Sequence, residues 1–215
     1  MANEAATAAM NISLNGIGKK FRNQWVFKNV HCSFESNDKV AVTGPNGSGK
    51  STLLQIISGY VTPSEGSVLW SSEKQAVPAD AIFKSLSFAA PYIDLIEEFS
   101  LEENVDFFIR HKPLRNNLGT QDLIAAVMLE DAAAKPLRQF SSGMKQRLKL
   151  GLALLADTPV VILDEPLSNL DQTGYDWYRS MISAHTHGRL VFVGSNMVKE
   201  EAWFCNKVVD LQTYK

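Results

Sequence analysis

Two cysteines in 215 residues, Cys32 and Cys205, are too few for a disulfide framework. They lie far apart in the chain, and two buried free thiols are expected rather than a bridge. No apolar run is long enough to span a bilayer. The longest candidate, Leu150 to Leu163, is broken by Asp157 and Pro159. The first ten residues contain Glu4 and no basic residue, so they lack the charged start of a secretory signal. A formal net charge of −2 leaves no excess of positive charge to hold nucleic acid, and no nucleic-acid partner is expected. Internal repeats and low-complexity linkers are absent. Together these absences describe a cytoplasmic chain whose membrane role, if it has one, comes through a partner.

What is present is a globular composition. Hydrophobic residues make up 45% and charged residues 20%, which suffices for one sizeable domain with its own core. Residues 1–10 are Ala-rich and read as a mobile tail. Residues 11–43 read as strands: Ile12 and Leu14 alternate with polar residues, Val30 to Phe34 does so loosely, and Lys39 to Thr43 is a short apolar strand. A helix is expected over Gly49 to Ser58, stopped by Gly59. Pro63 and Gly66 mark a turn before a strand near Val68 to Trp70. Helices are expected over Leu101 to Ile109, Gln121 to Leu129 and Ser142 to Ala156. Strand and helix then alternate: Val160 to Leu163, Tyr175 to Ala184, Leu190 to Val193, Lys199 to Phe204 and Lys207 to Leu211. This is an α/β core with a helical insertion in its middle.

The segment Gly44-Pro45-Asn46-Gly47-Ser48-Gly49-Lys50-Ser51, followed by Thr52, fits G-x-x-x-x-G-K-[ST] in full. It follows a strand and opens a helix. Glycines let the backbone curl so that successive N–H groups face one anion, and the helix start adds its positive end. Lys50 then reaches the β- and γ-phosphates, and the Ser51 hydroxyl can ligate Mg²⁺. Downstream, Val160-Val161-Ile162-Leu163 is an apolar run ending in Asp164 and Glu165. Such a strand is covered on both faces, and ligands of α/β sheets sit at its carboxyl end. Asp164 can hold a water on Mg²⁺, and Glu165 can polarise the attacking water as a base.

Phe140-Ser141-Ser142-Gly143-Met144-Lys145-Gln146-Arg147 has two readings when taken alone. Ser141 can cap an ordinary core helix with Met144, Leu148, Leu152 and Leu155 as its apolar stripe. Alternatively, the N–H groups near Gly143 face an anion. The segment resembles the Leu-Ser-Gly-Gly-Gln type signature of ABC transporter ATPases, and Ser168-Asn169-Leu170-Asp171 looks like that family's D-loop. The resemblance runs from about residue 11 to 211. It implies a P-loop NTPase core with an N-terminal antiparallel β subdomain and an inserted α-helical subdomain. The ABC ATPase domain is then 11–215, with its core at about 11–90 and 157–215 and the helical subdomain at about 91–156. It also implies an ATPase using ATP and Mg²⁺, buried between two head-to-tail cassettes. Ser141, Ser142, Gly143 and Met144 then act across the dimer. The implied partners are a second cassette, as a homodimer, and a separate transmembrane permease that holds the chain on the inner face of the membrane. Phe21 matches the aromatic position that stacks on adenine, with Trp25 as the alternative.

Two residues that the resemblance requires are missing. After the strand ending near Phe88 the family has a glutamine; here the stretch is Ala89-Ala90-Pro91-Tyr92-Ile93-Asp94. Tyr92 and Asp94 are the nearest replacements. After Leu190 to Gly194 the family has a histidine; here the position is Asn196, which can donate to a phosphate but cannot carry a proton's charge. ATP binding is expected to survive and hydrolysis to slow. A low-turnover, ATP-gated clamp is therefore the alternative to a transport ATPase. An ABC protein of ribosomes or DNA fits less well, since those usually carry paired cassettes or long insertions in one chain.

Overall fold

A computed structural model describes residues 9–73, 75–196 and 198–215. Most of the expected tail lies outside these residues. Its end does not: Met10 is buried and opens the first strand. In chain order the elements are β1 (Met10–Phe21), β2 (Gln24–Glu35), β3 (Lys39–Thr43), α1 (Lys50–Ile57), β4 (Glu65–Ser72), β5 (Gln75–Ala76) and β6 (Leu86–Ala89). There follow α2 (Leu101–His111), α3 (Thr120–Ala126), α4 (Ser142–Leu155), β7 (Val160–Asp164), α5 (Gln172–His185), β8 (Leu190–Gly194), α6 (Val198–Glu201) and β9 (Lys207–Asp210). Short 3₁₀ turns fill several of the connections. The fold is α/β with one antiparallel sheet and one sheet built on parallel pairing.

The chain divides into two compact units. The first comprises residues 9–86, 158–162 and 188–215 of those described. Its antiparallel sheet has the order β2-β1-β4-β5. Alternation along β1 buries Met10, Ile12 and Leu14, and these meet the inward residues of β2 and β4 at registers such as Ile12 with Phe34 and with Trp70. In its other sheet β3 is parallel to both β8 and β9. Its inner strands β7 and β8 are buried throughout, as unbroken apolar runs require. Helix α1 stops where expected: Gly59, at φ 78°, takes the left-handed position and donates to Ile56 O.

The second unit comprises residues 87–157 and 163–187 and is mainly helical. Ser100 and Glu103 form a reciprocal capping box that starts α2. Helix α3 packs between α2 and α4, and α4 also packs on α5. Two helices are shorter than the sequence suggests. α3 ends at Ala126 instead of Leu129, because Met128 turns left-handed at φ 57°. α6 ends at Glu201 instead of Phe204. By contrast, α5 begins three residues before the expected Tyr175, because the Asp171 side chain accepts from Gly174 N and caps it. Along α4 the buried face is wider than the expected stripe. It adds Leu150, Gly151, Ala153 and Leu154, while Met144 is half-buried. Both cysteines are free, and both are half-buried where full burial was expected.

Candidate functional site

In the first unit, β3 delivers the chain into the glycine-rich loop and α1 leaves it. Gly44, Gly47 and Gly49 have φ of 139°, 76° and 103°, values that side chains resist. Space is as restrictive as angle. A Cβ on Gly49 would lie 2.5 Å from Val26 Cγ1, and one on Gly44 would lie 2.6 Å from Ser48 Oγ. The turn is closed by Ser48 N donating to Pro45 O at 3.0 Å. Lys50 is buried, and its ammonium donates to Gly44 O at 2.9 Å and Pro45 O at 3.2 Å. It is thus folded back over the loop that its motif builds. Ser51 and Thr52 follow, half-buried, in the first turn of α1.

This loop fits an oxyanion. Among the described residues no side chain caps helix α1, and the first N–H groups of a helix have no intrahelical acceptor. Among the described residues the buried Ser48 Oγ has no hydrogen-bond partner. Mg²⁺ suits the Ser51 hydroxyl, a hard oxygen ligand in the first turn of α1. No cluster of three or more His, Cys, Asp or Glu side chains exists among the described residues. A site of that kind takes Mg²⁺ together with phosphates and water, rather than in a cage of protein ligands.

A pocket of about 490 Å³ opens beside the loop. Thr43, Gly44, Pro45 and Asn46 form one wall, and Ser195, Asn196, Asp210 and Gln212 the other. Asn196 and Asn46 meet there, the Asn196 amide donating to Asn46 Oδ1 at 2.6 Å. Beneath Asn196, the buried Ser195 hydroxyl donates to the buried Glu201 carboxylate.

Phe21 and Trp25 differ in availability. Phe21 ends β1 and is 54% exposed, with Lys19 Nζ 5.1 Å from its ring centre. Trp25 is half-buried, lies against Gly18, and has Lys20 and Lys28 at 5.3 and 4.5 Å. Phe21 therefore offers the freer ring.

In the second unit, Asp164 is buried at the end of β7 and accepts from the Tyr92 hydroxyl at 3.1 Å. Glu165 follows with φ 45°, a left-handed backbone that costs a glutamate about 1 kcal/mol or more. It is held by Ser168 N donating to Glu165 O at 3.0 Å and by Ser168 Oγ at 3.4 Å from Glu165 Oε2. Ser141 caps α4 as expected, accepting from Met144 N at 3.2 Å.

The start of α4 and the segment 168–171 pack together. A Cβ on Gly143 would come 2.9 Å from Asn169 O, so only glycine allows this approach. The buried Gln146 donates to Pro166 O at 2.9 Å, fastening α4 to the segment that carries Glu165. Sequence reasoning missed Gln146. The signal was available, since a polar residue placed on the buried side of a helix must find a partner.

Comparison with known proteins gives a consistent picture. Residues 27–168 match the family described as ABC transporter. The cytochrome c biogenesis ATP-binding export protein CcmA of Haemophilus influenzae is 30% identical over 187 residues, covering 86% of this chain and 88% of that protein. An uncharacterized ABC transporter ATP-binding protein of Bacillus subtilis, YcbN, is 27% identical over 191 residues. That match covers 88% of this chain, which spans only 62% of the relative's length. Among solved structures, the dimeric post-hydrolysis state of the ATP-binding cassette MJ0796, bound to ADP and Pi, superposes with a TM-score of 0.78 at 23% identity. It covers 93% of each chain, a likeness of fold.

Proposed function

The chain belongs to the ABC transporter family of ATP-binding proteins, and from that premise we propose that it binds and hydrolyses MgATP between two head-to-tail copies to drive transport through a separate membrane subunit. The observation that carries this reading is the phosphate loop, with its left-handed glycines, uncapped helix start and buried Lys50. Gly44 to Thr52 wrap the phosphates with backbone N–H groups, and Lys50 turns from its loop carbonyls to the β- and γ-oxygens. Phe21 stacks on the base. Ser51 and Asp164 would hold Mg²⁺, Asp164 by way of a water, and a bound ion would supply positive charge against the negative charge of the phosphates. Glu165 polarises the attacking water, and Asn196 donates to the γ-phosphate. Ser141, Ser142, Gly143 and Met144 reach the nucleotide of the partner copy, and Ser168 to Asp171 line the same junction.

No helix among the described residues is long and apolar enough to cross a membrane. We place the chain on the cytoplasmic face, held by its permease, with 11–215 as the ATPase domain and 91–156 as its helical subdomain. Lys50→Ala is the direct test. It removes the side-chain cation at the phosphates, and calorimetry should show MgATP binding lost. Unchanged affinity would mean that the loop is not the phosphate site.

A second reading is a low-turnover clamp gated by ATP binding. Asn196 and Pro91 favour it, because each stands where the family resemblance expects a residue that assists hydrolysis. Steady-state phosphate release from the purified chain separates the two. Turnover on the order of the 1–10³ s⁻¹ usual for enzymes supports transport, and binding without release supports the clamp.

A further inference from the structure

Tyr92 sits in the turn after β6, one residue beyond Pro91, and three contacts fix it. Its ring meets Phe88 edge-on, with centres 6.3 Å apart and planes at 85°. The backbone of its turn is held from α4, where Lys149 Nζ donates to Pro91 O at 2.9 Å and reaches Ala90 O at 3.4 Å. Its hydroxyl donates to Asp164 Oδ2 at 3.1 Å. A half-exposed tyrosine is thus anchored at ring, backbone and hydroxyl, and the hydroxyl points at the buried acid that ends β7. Packing alone accounts for the ring but not for the hydroxyl on a carboxylate.

We propose that Tyr92 is a positioning residue for the ATPase reaction, orienting Asp164 and taking over work that a glutamine of this loop would do. The chemistry is suited to it. A phenol donates one hydrogen bond and still has oxygen lone pairs to accept another. With its proton committed to Asp164, the Tyr92 oxygen can accept from a water, as an amide carbonyl could. A hydrogen bond donated to a carboxylate is strong for a neutral donor, and it holds the Asp164 side chain in one orientation. Lys149 sets the height of the turn, so the arrangement is tied to the helix that opens at Ser141.

This inference rests on the reading of the chain as an MgATP-binding cassette, and the experiment separates the two. Tyr92→Phe keeps the ring and its contact with Phe88 and removes only the hydroxyl. Calorimetry is run with ATP in EDTA and with MgATP, on the natural chain, on Tyr92→Phe and on Tyr92→Gln. For Tyr92→Phe, ATP affinity without Mg²⁺ should be unchanged, while the gain that Mg²⁺ adds should shrink roughly tenfold, the size of one hydrogen bond to a charged group. kcat for MgATP should fall by a similar factor, and Tyr92→Gln should recover part of both. A purely structural role would weaken binding in both conditions or in neither. Equal Mg²⁺ gains in the natural chain and Tyr92→Phe, with equal turnover, would overturn the proposal. If the natural chain binds no nucleotide at all, the cassette reading itself fails.

Discussion

The side-chain amide of Asn196 donates to Oδ1 of Asn46 at 2.6 Å, across 150 positions of sequence. One residue belongs to the loop after β8 and the other to the phosphate loop, so the bond ties the two together. The Ser195 hydroxyl on Glu201 fixes the same turn from below. Asn196→Ala should release the loop and lower turnover. Asn196→His should raise it, because imidazole can donate to Asn46 or to the γ-phosphate and can also carry charge. A preorganised donor is typically worth about 10²–10³ in rate, and we expect roughly threefold to thirtyfold here, since asparagine already donates and the surroundings were not shaped for imidazole. Phosphate release by the three proteins decides the matter. A loss in the histidine variant would mean that the asparagine pair is itself the working device.

Glu165→Gln should bind MgATP and hydrolyse it about 10²–10⁴-fold more slowly, the usual contribution of a general base. The amide keeps the shape, and its oxygen can still accept from Ser168, so the left-handed turn at residue 165 should persist. With ATP retained, the variant should move from monomer to dimer on a sizing column when MgATP is added. Hydrolysis at the natural rate would place the base elsewhere.

Gly143→Ala tests the packing of the start of α4 on Asn169. The new methyl would lie 2.9 Å from Asn169 O, a backbone atom that cannot swing aside. Overpacking of this kind costs about 1–3 kcal/mol. Thermal melts should register that cost, while calorimetry with a single copy should show ATP affinity near normal and hydrolysis should fall further than affinity. A melt and a rate both matching the natural chain would show that the helix start can shift freely.

The motifs were legible because each is local. The phosphate loop, the acid-ended β7 and the Ser141 cap depend on residues a few positions apart, and the backbone rules that shape them act over the same range. The contacts between motifs were not legible. Tyr92 with Asp164, Gln146 with Pro166 and Asn46 with Asn196 are 72, 20 and 150 positions apart, and no periodicity encodes such pairs. Element ends failed for a related reason. The apolar pattern continues through Val127 and Leu129, yet Met128 turns left-handed and Leu129 N donates back to Ile124 O. There the backbone, and not the pattern, ends the helix.

Alkaline pH should act on stability through two neighbouring groups with opposite signs. Burial first, then the charge of Arg189, lowers the Lys39 ammonium to about 8. Burial raises the Cys205 thiol to about 12. Between about pH 8 and 10.5 the folded chain has given up the Lys39 proton while the unfolded chain keeps it. The unfolded state then binds more protons, so stability rises with pH in that window. Above about pH 9 the unfolded thiol ionises while folded Cys205 stays protonated. The unfolded state then binds fewer protons, so this contribution falls from pH 9 toward 12. The natural chain should therefore gain stability from pH 8 to 9 and level off beyond it. Cys205→Ala removes the opposing group. Its melting temperature should be lower at neutral pH, from the lost packing, yet should go on rising between pH 9 and 10.5. Melts at half-unit pH steps give the slopes for both proteins. Parallel slopes across that interval would show that Cys205 does not keep its proton in the folded state.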